Sequence, residues 1–225
     1  TEILYNTTSY IISEVLVDPT SVERIQGAQS VVESAVKLFA AQPQALGSMM
    51  EVSSYDYYTY THCVHVMTYA IALARHLGVA SAKELESIGS AALLHDVGKI
   101  YIDHRLITKN GTLTADEFEE VKKHPELGYQ ALHQSGAMSE YELLAVRMHH
   151  EKLNGKGYPY GLEKNHLNLA VRIITCMDIY DALVTRRTYR DALTPYEALQ
   201  VMKNMVDTII DGDVFRKLVI MLGML

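Results

Sequence analysis

Thiols are scarce in this chain. Cys63 and Cys176 are the only cysteines in 225 residues, and each lies inside an apolar helical pattern with no framework spacing. That excludes a disulfide-stapled scaffold and a thiolate-bound structural zinc. Both read as small buried hydrophobes of a reducing, cytoplasmic compartment. Cations are in deficit too, with 20 Lys and Arg against 27 Asp and Glu and a formal charge of −7. Such a chain is a poor partner for a nucleic acid polymer, whose binding runs through phosphate neutralisation. A small anionic ligand would need a local basic patch. No apolar run is long enough to span a bilayer, and the first residues carry no signal-peptide pattern. No segment alternates as a strand would, and no solenoid-type repeat is evident.

What is present is helical periodicity, on a composition that is 48% apolar and so can bury a sizeable core. The spacing of Ile3, Leu4, Ile11, Ile12, Val15 and Leu16 predicts a short amphipathic helix. Asp18-Pro19-Thr20-Ser21 is a turn and N-cap leading into a helix from Val22 to about Gln42. Its stripe of Ile25, Val32, Val36 and Phe39 reads as packing against its own domain, with a dimer seam or signalling lever as the alternative. Further helices are expected over Asp56–His76, after Ser81, from Thr114 (with Glu117 at the capping-box position), from Pro125 to Leu132, over Glu140–His150, from Asn168 to Thr185, after Thr194-Pro195 and over Val214–Leu225. The fold class is all-α, with eight to ten helices.

Two stretches carry the chemistry. The apolar run Ala91-Ala92-Leu93-Leu94 ends in His95-Asp96, followed by Gly98 and Lys99. His and Asp are good ligands for divalent transition metals, and Lys99 is a compact cation suited to a phosphate oxygen. In the second, His149-His150-Glu151 opens a polar loop through Gly155, Gly157, Tyr158 and Pro159. Adding His62, His124 and Asp178 collects five imidazoles and two carboxylates from separate helical segments. Asp178 stands in an apolar run, where a carboxylate is costly unless paired or metal-bound. That donor set exceeds one tetrahedral zinc and suits two ions of higher coordination number. Lys99, Arg187 and Arg190 could take the charge that grows on a phosphate in a transition state. If the segments converge, the residue types point to metal-assisted phosphodiester hydrolysis.

In order and spacing the chain from about residue 55 to 195 resembles an HD-GYP domain, a branch of the HD metal-dependent phosphohydrolases associated with bacterial cyclic di-GMP breakdown. The resemblance is carried by His95-Asp96-Val97-Gly98-Lys99, Lys109-Asn110-Gly111-Thr112-Leu113-Thr114 and His124-Pro125-Glu126-Leu127-Gly128. It continues in the long motif from His149 to Leu162 and in Asp178-Ile179-Tyr180-Asp181-Ala182-Leu183 running on to Arg187-Thr188-Tyr189-Arg190. It implies an HD-domain helical bundle over 51–225, preceded by a helical segment over 1–50 that serves as linker, dimer or regulatory helices.

It further implies that His62, His95, Asp96 and Asp178 hold one metal, with Asp96 bridging to a second held by His124, His149 and His150. Lys99 would meet the scissile phosphate, and Arg187 and Arg190 would steady the dinucleotide's phosphates. The Gly157-Tyr158-Pro159 loop would form a lip or a protein-docking surface. The expected cofactors are two divalent ions, Fe or Mn first and Ni or Zn otherwise. A bridging hydroxide would open cyclic di-GMP to linear pGpG, with further cutting to GMP as an extension. Two positions depart from the family pattern. Tyr58 stands where some members carry a glutamate associated with a third metal, and Lys152 and Asn154 stand where arginine and aspartate are usual.

His65, His76, His104, His133 and His166 read as surface or packing histidines. Glu151 reads as a loop carboxylate, Arg186 as solvated, and Asp181 as a hydrogen-bond partner of the site. Three rival functions stay open: hydrolysis of another cyclic dinucleotide such as cyclic GMP-AMP, a non-catalytic nucleotide sensor, and an oxygen-dependent di-iron site.

Overall fold

A computed structural model describes residues 1–52, 59–186 and 191–223. Helices α1 (Glu2–Val17), α2 (Val22–Ala41) and α3 (Ala45–Val52) lead into α4 (Thr59–His76) and α5 (Ala82–Leu94). A 3-10 turn (Val97–Tyr101) and the single helical turn α6 (His104–Ile107) follow. Then come α7 (Ala115–Val121), α8 (His124–Ser135), α9 (Glu140–Met148), α10 (Leu169–Val184), α11 (Pro195–Lys203) and α12 (Gly212–Met221). No strand occurs among the described residues, where two isolated bridges are the only β pairing. Among the described residues the short α3 and α6 take the count above the eight to ten expected.

The start signals act as the sequence says. Ser21, Ser81, Thr114, Ser139, Asn168 and Thr194 each accept a backbone N–H in the first turn of the helix they precede. Thr114, Ser139 and Thr194 close full capping boxes with Glu117, Glu142 and Glu197, each cap typically contributing about 1 kcal/mol. The helix expected through His150 stops at Met148. The first residues of the helix expected from Asp56, and Tyr58 with them, lie outside the described residues.

Helix α4 is the axis of the molecule. Cys63 through Ala74 are all buried, and a helix enclosed on every side belongs at the centre of a core. It packs on α5, α10, α12 and α1, while α5 also packs on α2 and α9. Ile12 and Val15 of α1 and Ile25 and Val32 of α2 join the same apolar cluster as Ile71, Leu73 and Ile88.

One close approach matters for the site. The 3-10 turn after Asp96 lies against the start of α8, where a Cβ added to Gly98 would fall 1.9 Å from the His124 carbonyl oxygen and 2.5 Å from the Gly128 nitrogen. Only glycine lets these two backbones meet.

Candidate metal centre

Three helix ends deliver histidines by one device. His95 follows α5, His149 follows α9, and His124 opens α8 just beyond α7. The final carbonyls of a helix have no intrahelical donor, and each ring uses one. His95 Nδ1 donates to Ala92 O at 2.7 Å, His124 Nδ1 to Val121 O at 2.8 Å, and His149 Nδ1 to Val146 O at 2.7 Å. A carbonyl can only accept, so each ring carries its proton on Nδ1 and turns a bare Nε2 inward. His62 lies within α4, where the carbonyls serve the helix itself. Its Nδ1 donates instead to Asp181 Oδ2 at 2.6 Å.

The inward nitrogens crowd together around Asp96. His62 Nε2 and His95 Nε2 are 3.3 Å apart, and His124 Nε2 and His149 Nε2 are 3.2 Å apart. Asp96 Oδ1 lies 3.3 Å from His124 Nε2, and Oδ2 lies 3.5 Å from His95 Nε2. With His124 protonated on Nδ1, Asp96 Oδ1 has no hydrogen-bond donor although it is buried, an arrangement that costs free energy unless a cation answers it.

Two donor sets each have all their ligand atoms within 4.8 Å of one another. One is His62, His95 and Asp96; the other is Asp96, His124, His149 and His150. Asp96 belongs to both and offers a different oxygen to each. Asp178 stands beside the pair, with Oδ1 3.2 Å from His62 Nε2 and Oδ2 3.9 Å from His150 Nδ1. The nitrogen-and-carboxylate donors, without thiolate, suit Fe, Mn, Ni or Zn ions.

The protonation states of His95, His149, His150 and the two carboxylates fit cation binding; His62, whose pKa is raised to about 10 by Asp178 and Asp181, must give up a proton to join them. Burial pushes the His95 and His149 rings below the usual histidine range and takes His150 down to about 3. Burial alone would raise Asp96, but the Lys99 ammonium beside it holds the carboxyl well below the usual range. The hydrogen bond from His62 does the same for buried Asp178. Neutral imidazoles and ionised carboxylates are the forms that bind metal.

The site opens on one side. The side chains of His95, His149, His124 and Asp96 are 0–2% exposed, whereas His62, Asp178, His150 and Lys99 are 16, 17, 26 and 28% exposed. Lys99 Nζ is hydrogen-bonded to Asp96 Oδ2 at this mouth. The Tyr158 ring stacks on His150, centroids 4.7 Å apart and planes at 29°, which sets the Gly-Tyr-Pro loop beside the site. Glu151 anchors that loop by accepting the backbone N–H groups of Tyr160, Gly161 and Leu162 at 2.7, 3.1 and 2.9 Å. Asn154, in place of the usual aspartate, accepts the Lys156 N–H at 3.0 Å. A separate surface depression of about 520 Å³, lined by Leu153, Glu163, Lys164, Asn165, Leu167 and Arg172, contains none of the donors.

A sequence profile described as an HD domain matches residues 33–214. The chain belongs to the HD-domain family. HD domains are metal-dependent, and this one holds a His and Asp cluster able to bind metal. Its long Gly-Tyr-Pro motif places it in the HD-GYP branch. A Pseudomonas aeruginosa protein named cyclic di-GMP phosphodiesterase is 34% identical over 196 residues, covering 87% of this chain and 47% of its own length. A Vibrio cholerae protein named 3′3′-cGAMP-specific phosphodiesterase 3 is 36% identical over 176 residues, covering 77% of this chain and 37% of its own length. The chain thus spans less than half the length of either relative. A solved structure titled as an HDG"Y"P protein from Bdellovibrio bacteriovorus superimposes with a TM-score of 0.85 at 24% identity, covering 98% of this chain and 71% of that one. That likeness shows the all-α fold.

Within this HD domain, His62, His95, Asp96, His124, His149, His150, Asp178 and Lys99 come together, while Arg187 and Arg190 lie outside the described residues. Arg186 is exposed and 3.6 Å from Asp191. His76, His104, His133 and His166 are on the surface. His65 is not: it is 7% exposed and donates from Nδ1 to Asp181 Oδ1 at 2.7 Å. Its position three residues after His62, matching the spacing of Asp178 and Asp181, was the one signal available.

Proposed function

We propose that this chain is a metal-dependent phosphodiesterase that opens cyclic di-GMP to linear pGpG. The observation that carries the reading is Asp96, shared by two donor sets and bonded to Lys99 at the open side. In this reading His62, His95, Asp96 and Asp178 hold one divalent ion, and Asp96, His124, His149 and His150 hold the other, with Fe or Mn the preferred metals. Two ions there would supply charge for the phosphate oxygens and activate the attacking water. Lys99 swings from Asp96 to a phosphate oxygen, leaving the carboxylate to the ions. Arg187 and Arg190 steady the flanking phosphates, and Tyr158 stacks on the His150 ring beside the cluster.

A second substrate has a specific observation behind it: the Vibrio cholerae relative is named for 3′3′-cGAMP. Two partner surfaces belong to the same reading. Tyr160 is exposed at the end of the loop, and Ile3, Tyr10 and Val17 are exposed on α1, where their seven-residue spacing makes a stripe suited to a second copy of the chain. The compartment is the bacterial cytoplasm. Among the described residues no helix is long and apolar enough to cross a membrane.

The test is turnover of cyclic di-GMP and 3′3′-cGAMP, side by side, after loading with Mn²⁺ or Fe²⁺. Asp96→Ala is expected to lose the ions and all activity, and Lys99→Ala to keep the ions and lose about 100-fold or more in rate, as for removal of a preorganised electrostatic group. Wild-type turnover by Asp96→Ala would refute the mechanism.

A further inference from the structure

Asp181 is buried beneath the cluster, 1% exposed, and belongs to neither donor set. Its Oδ2 accepts His62 Nδ1–H at 2.6 Å. Its Oδ1 accepts His65 Nδ1–H at 2.7 Å and the Thr185 hydroxyl at 3.1 Å. His62 and His65 occupy neighbouring positions on one face of α4, so a single carboxylate clasps two rings of the same helix. His65 Nε2 is buried with no hydrogen-bond partner. A side chain present only to fill space would be better as leucine, because the orphan nitrogen is a cost. What the imidazole supplies is the donor on Nδ1.

We infer that His65 and Asp181 are a positioning pair that sets the occupancy of one ion, the one shared by His62, His95 and Asp96. This deepens, and rests on, the reading of the cluster as a metal site. The other three buried histidines are oriented by backbone carbonyls, which cannot rotate. His62 depends on a side-chain carboxylate, which can. His65 and Thr185 pin Oδ1, and that fixes the plane in which Oδ2 faces His62. The Nδ1–H of His62 then stays directed at Asp181 Oδ2, and Nε2 is the atom left for a cation. Partners of this kind behind a ligating histidine commonly change metal affinity by about 10–100-fold. Among the described residues His124, His149 and His150 make no hydrogen bond or ion pair with His65 or Asp181, so the second set feels the pair only through the shared Asp96.

The experiment is Mn²⁺ titration calorimetry, with metal content by emission spectroscopy, on wild type, His65→Leu and His65→Asn. Leucine keeps bulk and removes the donor, whereas the asparagine amide nitrogen can stand where Nδ1 stood. Wild type is expected to bind two equivalents. His65→Leu should keep one at wild-type affinity and weaken the other about 10–100-fold, and His65→Asn should recover most of the loss. Wild-type affinity for both ions in His65→Leu would overturn the inference, as would equal weakening of both ions. A wild type that binds two ions and hydrolyses no dinucleotide would refute the proposed activity and leave the pair standing; a wild type that binds no cation would refute both. Should His65→Leu not fold, the long-range ¹H–¹⁵N spectrum of the zinc-loaded wild type gives the answer without a variant. Nδ1–H signals for both His62 and His65 are expected, and an Nε2–H on His62 would overturn the inference.

Discussion

His62 sits between two carboxylates, and that decides its proton. Burial pulls its pKa down, but the hydrogen bonds to Asp178 and Asp181 outweigh burial and raise it from 6.5 to about 10. In the metal-free protein it is therefore an imidazolium at neutral pH. A histidine whose pKa is raised on folding contributes stability in full below its unfolded value, and that contribution is lost as pH rises through the folded value. The metal-free protein is accordingly expected to lose thermal stability between pH 7 and 10, and the loaded protein to lack this slope. For the same reason cation uptake at pH 7 should expel about one proton from Nε2. Calorimetry in two buffers of different ionisation enthalpy checks this, and uptake without proton release would contradict the assignment. The donor types of this site were legible in the sequence because histidines and aspartates at helix ends and in apolar runs have few other uses. The role of His65 was not legible, since its partner lies 116 residues away and an isolated histidine on a helix face looks the same whether it packs or positions.

Helix ends do most of the building. His95, His124 and His149 are each tied to a carbonyl in the last turn of the helix before them, so the position of every ring follows from where that helix stops. Cap signals such as Ser81 and Thr114 show where helices start. The stop at Met148 rather than His150 was hidden, because it is made by the His149 ring bonding back to Val146 O and not by a glycine or proline. How α8 is set against His95-Asp96 also depends on a contact that no periodicity reports, the meeting of Gly98 with His124 and Gly128. Gly98→Ala would drive a Cβ into backbone atoms that cannot swing aside. We expect a loss of about 1–3 kcal/mol and a displacement of His124 from Asp96. Thermal denaturation together with metal content checks this; a stable Gly98→Ala protein with full metal would show that the contact is not the constraint.

At the scale of the molecule, α1 and α2 share one apolar core with the helices that carry the site. Ile12 is 1% exposed and Val15 is fully buried. Ile12→Ala is therefore expected to destabilise the whole protein by about 2–5 kcal/mol in urea unfolding followed at a probe near the metal centre. A change near zero there would mean that residues 1–50 behave as a separate segment. The amphipathic stripes of these helices were readable from the sequence, but a stripe does not name the surface it covers. The donors are also dispersed along the chain, with His62 and Asp181 separated by 119 residues. This sets an order of events during synthesis. A nascent chain that has emerged only through Lys123 carries His62, His95 and Asp96 but neither the second histidine cluster nor the carboxylate that orients His62. No ribosome-bound fragment that stops short of Asp181 can hold the finished arrangement, so acquisition of both cations waits until Asp181 has emerged and met His62.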